Sequence, residues 1–122
     1  MEETFLKLYS DLHNAAYKNE DPLKRFLFTT KQHAILIFLI ASQKSMQCTL
    51  EEICYNVSPK VISRSTIQNI LKEGVNVGFF KKELNKTDKR SKFFKLTQDA
   101  KNLLERWAIA QSETFKNYKK SA

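Results

Sequence analysis

Residues 49–96 read TLEEICYNVSPKVISRSTIQNILKEGVNVGFFKKELNKTDKRSKFFKL, and the fold is decided in this stretch. It opens on Thr49-Leu50-Glu51-Glu52. A Thr followed three residues later by Glu is a capping box, in which each side chain bonds the other's backbone N–H. A short helix to about Val57 is expected, ended by Ser58-Pro59. A second helix starts at Ser63 or Ser65, and Ile67, Ile70, Leu71 and Val75 recur at its apolar spacing. Gly78 stops it. Residues 79–84 then read as a strand, residues 85–91 as a polar tip with turn-forming Asn and Asp, and residues 92–96 as the returning strand. Two short capped helices followed by a basic hairpin are the layout of a winged helix-turn-helix.

Working outward, residues 3–19 place Phe5, Leu8, Tyr9, Leu12, Ala15 and Ala16 on one apolar stripe of a helix. Asp21-Pro22 ends that helix, because the residue before a proline is pushed out of the helical region. Residues 23–28 read as a connector anchored by Leu23, Phe26 and Phe28. Thr29 or Thr30 caps a buried helix running to about Gln43. Thr97 caps the final helix, whose apolar face carries Ala100, Leu103, Leu104, Trp107, Ala108, Phe115 and Tyr118, and a polar tail follows from Lys116. The expected class is mainly α with a small β-hairpin. The expected organisation is one domain over residues 1–122: an N-terminal helix and connector (1–28), the winged helix-turn-helix (29–96) and a C-terminal helix (97–122).

Net charge is +8, and it is segregated. Ten Lys or Arg and three acids lie between Lys60 and Lys95, a surplus of seven. A solvated surface mixes both signs, so a one-signed stretch points to a polyanion. The N-terminal part of the second helix of such a motif reads base edges in the major groove. Here it offers Ser63, Arg64, Ser65, Thr66, Gln68 and Asn69, followed by Lys72. Gln68 and Asn69 suit adenine, and Arg64 suits guanine or phosphate. Taken alone, these residues are equally the polar face and caps of an amphipathic helix. The hairpin tips the balance, with Lys86, Lys89, Arg90 and Lys92 at its tip and Lys81, Lys82 and Lys95 as general phosphate contacts.

The chain from 29 to 104 resembles the MarR family of transcription regulators. Asp88-Lys89-Arg90-Ser91 followed by Lys95-Leu96-Thr97 is similar to the family's wing signature, an Asp-x-Arg and then a Leu-Thr. Ser63-Arg64-Ser65-Thr66-Ile67 resembles the start of its recognition helix. Gly78-Phe79-Phe80 and Thr49-Leu50-Glu51-Glu52-Ile53 resemble its approaches to the wing and to the first helix of the motif. The resemblance implies a DNA-binding regulator in which Arg90 enters the minor groove and Asp88 holds the wing. It also implies a homodimer built by the first and last helices, with Phe5, Leu8, Tyr9, Leu12, Leu104, Trp107, Phe115 and Tyr118 at the interface. Asn69 stands where members carry Arg, and Gly74 where they carry a core Leu. Glycine in a helix interior costs about 1 kcal/mol against alanine, so the helix is expected to bend or end early at Gly74.

Other chemistry finds little support. His13 and His33 lack ligand spacing with each other or with the cysteines, so no metal is expected. The only glycines are Gly74 and Gly78, too few for a phosphate loop, and nothing groups a nucleophile with a base. Neither an enzyme nor a cofactor is expected. Cys54 reads as buried and inert, while Cys48, just before a helix start, is a position where a thiol pKa can fall and oxidation could control binding, although an inert thiol is the favoured reading there too. Trp107, Phe115 and Tyr118 could line a pocket for an effector of unknown identity, although such a stripe is more often core or dimer interface. The most apolar run, residues 34–41, is far shorter than the roughly 20 residues of a membrane span, and no secretory signal is read, so a soluble cytoplasmic protein is expected. A winged helix used for protein contact or for non-specific nucleic-acid binding remains the alternative.

Overall fold

The structure, a computed structural model, describes residues 1–17, 21–116 and 118. Six helices and three strands follow in the order α1 (Glu2–Tyr17), α2 (Pro22–Leu27), α3 (Lys31–Ser42), β1 (Gln47–Thr49), α4 (Leu50–Asn56), α5 (Arg64–Val77), β2 (Phe80–Leu84), β3 (Lys92–Leu96) and α6 (Gln98–Lys116). The expected continuation of α1 to Asn19, and most of the polar tail after Lys116, lie outside the described residues.

The caps fall where the sequence places them. Thr30 accepts from the His33 N–H at 3.2 Å. Both halves of the α4 capping box form, with Thr49 Oγ1 accepting from Glu52 at 3.1 Å and Glu52 Oε1 accepting from Thr49 at 3.0 Å. Ser63 Oγ accepts from the Thr66 N–H at 3.2 Å and so fixes the start of α5. Gly78 closes α5 in the left-handed region, φ 85°, which favours a residue without Cβ. Thr97 Oγ1 accepts from the Ala100 N–H at 3.2 Å and donates to the Gly78 carbonyl at 2.7 Å, tying the start of α6 to the end of α5.

Two elements correct the sequence reading. The connector is a helix, α2. Asp21 Oδ1 accepts from the Leu23 and Lys24 N–H groups at 3.0 and 3.3 Å, and Pro22 occupies the first helical turn, where its missing N–H costs nothing. Asp-Pro therefore ends one helix and starts the next. The expected hairpin is a three-stranded antiparallel sheet of order β1-β3-β2. A 3-10 turn at Lys44–Met46, with Ser45 and Met46 at φ 60° and 50°, reverses the chain after α3. Gln47, Cys48 and Thr49 then pair with Lys95, Phe94 and Phe93. Three residues with no apolar alternation leave no periodic signal, and only the partner strand makes them a strand.

The core lies between α2, α3, α5, the start of α6 and the sheet, with Leu27, Leu36, Ile37, Ile40, Ile53, Ile67, Leu71, Phe79 and Phe80 closed from solvent. The Phe26 ring lies 5.3 Å from that of Phe79 and 5.7 Å from that of Phe80, and meets the His33 ring edge-on at 5.0 Å. His33 is buried, and its two nitrogens face Thr30 Oγ1 at 2.7 Å and Glu73 Oε2 at 3.2 Å, joining α3 to α5.

Gly74 overturns a further expectation. α5 runs unbroken from Arg64 to Val77, and Gly74 is buried within it. A Cβ there would overlap Phe80 Cδ2 and Cε2 and come to 3.0 Å from Phe26 Cζ. Glycine lets α5 lie directly on β2, and the packed ring offsets the loss of helix propensity. Gly74→Ala should therefore destabilise, by about 1–3 kcal/mol as expected of overpacking, although helix propensity alone favours Ala. Urea unfolding measures the sign; a raised midpoint would refute the close-packing account.

Candidate nucleic-acid interface

The buried side of α5 is Ile67, Ile70, Leu71 and Gly74. The helical period therefore turns Arg64, Ser65, Gln68, Asn69 and Lys72 outward, and all five are exposed. The Ser63 hydroxyl is committed to the cap, donating to Thr66 Oγ1 at 2.9 Å. Arg64 is engaged as well. Its Nη2 donates to Glu51 Oε1 at 2.6 Å and its Nη1 to Glu51 Oε2 at 3.4 Å, across from α5 to α4. The guanidinium holds the Glu51 carboxyl below the usual carboxylate range, and the carboxylate raises Arg64 in turn.

The sheet sorts the wing lysines onto two faces. Strand alternation puts Lys82 and Lys92 on the side of Phe80, Phe94 and Leu96. Lys82 Nζ sits 5.9 Å from the centre of the Phe94 ring. Lys81 and Lys95 are cross-strand partners on the opposite side. Glu83 lies beside them, 3.4 Å from Lys81 Nζ and 3.7 Å from Lys95 Nζ, and relieves the repulsion of two like charges. Arg64, Lys82, Arg90 and Lys92 thus border one cleft of about 430 Å³, together with Glu51 and Asp88, while Lys81 and Lys95 lie away from it.

The tip of the wing is held by its own short polar side chains. Asp88 Oδ1 accepts from the Arg90 backbone N–H at 3.0 Å, and Asn85 Oδ1 accepts from the Thr87 N–H at 3.0 Å and from the Thr87 hydroxyl at 2.7 Å. Asn85 Nδ2 reaches across the tip to Ser91 Oγ at 3.0 Å. Among the described residues, the side chains of Lys86, Lys89 and Arg90 make no ion pair and stand in solvent. Three residues of this arrangement, Glu51, Glu83 and Asn85, were not expected from the sequence. Only Asn85 carried a signal, as one turn former among several.

No family profile and no curated protein sequence matches the chain. Among solved structures it is similar to that of Sco3205, a MarR family transcriptional regulator from Streptomyces coelicolor, in complex with DNA. The TM-score is 0.56 at 20% identity, over 92% of this chain and 71% of that one. The fold is a winged helix-turn-helix. In this winged helix α4 and α5 form the helix-turn-helix, and β2 and β3 the wing.

The two cysteines of the winged helix differ in burial. Cys48 is fully buried on β1, and burial, with the nearby Glu52 carboxylate, pushes its pKa up to about 11. Desolvation outweighs any lowering by the helix N-terminus, so the inert reading of Cys48 holds. Cys54, expected to be buried, is partly exposed, with Arg64 Nη1 3.8 Å from its Sγ. Among the described residues, no group of three or more His, Cys, Asp or Glu could hold a metal ion, and no helix is long and apolar enough to cross a membrane.

Of the residues expected at a dimer interface, Phe5, Tyr9, Leu12 and Phe115 are exposed, and Leu8, Leu104, Trp107 and Tyr118 are half-buried. The Trp107 ring lies 5.4 Å from that of Phe38, tilted by 32°, and also lines a cavity of about 460 Å³ between α1, α2 and α6.

Cys48 and Cys54 should differ sharply in reactivity. A thiol reagent at pH 8 should modify Cys54 in the native protein and reach Cys48 only after unfolding; early labelling of Cys48 would contradict its burial. The Cys48 thiol stays protonated in the fold while the unfolded thiol ionises near its ordinary value of about 9.0. Its contribution to stability is therefore complete below about pH 9 and lost as pH rises towards about 11, which thermal melts of Cys48→Ala against the parent across that range would register.

Proposed function

We propose that the protein is a cytoplasmic, sequence-specific regulator that binds double-stranded DNA, with α5 in the major groove and the wing in the minor groove. The observation that carries this reading is the shared cleft: Arg64 at the start of α5 and Arg90 at the wing tip border the same space, with Lys82 and Lys92 between them. The solved structure of similar fold was determined in complex with DNA, which supports the same use of the surface.

In this reading Gln68 and Asn69 reach base edges from the exposed side of α5. Arg90 enters the minor groove, where negative potential is enhanced when the groove is narrow. Asp88 presets the backbone that carries it. Lys72, Lys82, Lys86, Lys89 and Lys92 supply phosphate contacts, with Lys81 and Lys95 weakened by Glu83. The protein acts as a homodimer through α1 and α6. Their exposed Phe5, Tyr9, Leu12 and Phe115 form apolar surface that a second copy would cover. Winged helices of this size read a palindrome when paired, because the two-fold axis of the protein is repeated in the site.

Selection from random duplexes tests the reading directly. An enriched palindrome supports it; recovery of no preferred sequence would support a non-specific or protein-binding module instead. Light scattering checks the dimer independently. On the enriched duplex, Arg90→Ala should lower affinity by about tenfold or more, in line with a good groove contact of about 1–3 kcal/mol, and an unchanged affinity would sink the wing assignment. Gln68→Ala should shift base preference at one position in each half-site more than it lowers affinity for random duplex.

A further inference from the structure

Within that DNA-binding reading, on which this inference rests, the geometry points to Glu51 as a specificity-determining residue: its carboxylate holds Arg64 by one edge, and leaves the other edge for a guanine.

A guanidinium has five N–H donors in a fixed plane. In Arg64, one N–H of Nη1 and one of Nη2 face the two oxygens of Glu51, at 3.4 and 2.6 Å. Nη1 also reaches Cys54 Sγ at 3.8 Å. The N–H of Nε and the second N–H of Nη2 remain, and they lie side by side. Two parallel donors of this kind match guanine O6 and N7. The Arg64 side chain is 53% exposed, so solvent reaches it.

The charge of the pair sharpens the consequence. A carboxylate on a surface that meets a polyanion opposes binding, and an exposed ion pair adds little to stability. Glu51 sits in the first turn of α4, where the helix dipole favours a carboxylate, but that local role does not require its pairing with Arg64. Its effect falls on Arg64, which it restrains and neutralises. An unrestrained Arg64 would settle on any phosphate and release a counterion there, which adds affinity without sequence information. Held by Glu51, it contributes through the direction of its free edge. The sequence contains no hint of this pairing, because the partners are 13 residues apart and on different helices.

The test uses the full chain, the duplex enriched by selection and a random duplex of equal length. Glu51→Gln should bind the random duplex several-fold more tightly. The plot of log affinity against log salt concentration should steepen by about one, as expected when one more phosphate contact forms. Discrimination between the two duplexes should fall by about fivefold or more, the lower end of what a bidentate base contact supplies. Adding Arg64→Gln to Glu51→Gln should abolish the gain on random duplex. An unchanged salt slope or unchanged discrimination in Glu51→Gln overturns the inference while leaving DNA binding intact. Failure of the parent protein to enrich any sequence overturns both. Both substitutions fall on exposed side chains, and thermal melting confirms that each variant is folded.

Discussion

The contact between Gly74 and the Phe80 ring sets the geometry on which the rest depends. Where a side chain would stand on α5, the ring of the first wing strand stands instead. The strand cannot move outward without opening the aromatic cluster of Phe26, Phe79 and Phe80 to water. Nor can α5 move away without exposing Ile67, Ile70 and Leu71. The left-handed turn at Gly78 follows at once, and Thr97 closes on its carbonyl from the far end of the wing. The polar face of α5 and the wing are thus fixed relative to each other by packing behind them, and their charged side chains need not contribute to that alignment.

Charge on this surface is organised at a finer grain than its total. A surplus of seven positive charges between Lys60 and Lys95 describes a basic region, but the three-dimensional arrangement divides it into parts with different physical characters. Arg90, Lys86 and Lys89 stand in solvent without carboxylate partners among the described residues. Lys81 and Lys95 share Glu83 across the sheet. Arg64 shares Glu51 across the helix-turn-helix. Coulomb attraction between exposed charges is weak in water and decays within about 10 Å at moderate salt. These pairings therefore matter less to stability than to the direction in which each cation is presented.

Much of the architecture was legible because its signals are local. Capping residues Thr30, Thr49, Ser63 and Thr97 act within three residues of themselves, and Gly78 acts through its own backbone. Apolar periodicity names the buried Ile67, Ile70 and Leu71 of α5 within that one helix. The same logic does not resolve residues 23–28, because Asp21-Pro22 reads as a stop although an Asp cap and a first-turn proline are also a start. It missed β1, because Gln47, Cys48 and Thr49 become a strand only when Phe94 is beside them. It gave Gly74 the wrong consequence, since propensity counts what a glycine lacks and not what fills the space.

The sequence by itself determined the order of the wing strands and of every helix but α2, the caps of those helices, and the segregation of basic residues towards the wing. Each follows from interactions within a few residues, or from composition. Only the tertiary structure decided that β1 completes the sheet, that Gly74 admits Phe80, that burial silences Cys48, and that Glu51 holds Arg64 while Glu83 holds two lysines. Each of these depends on groups far apart in the chain being brought within contact distance, and desolvation, close packing and ion pairing act only once they are.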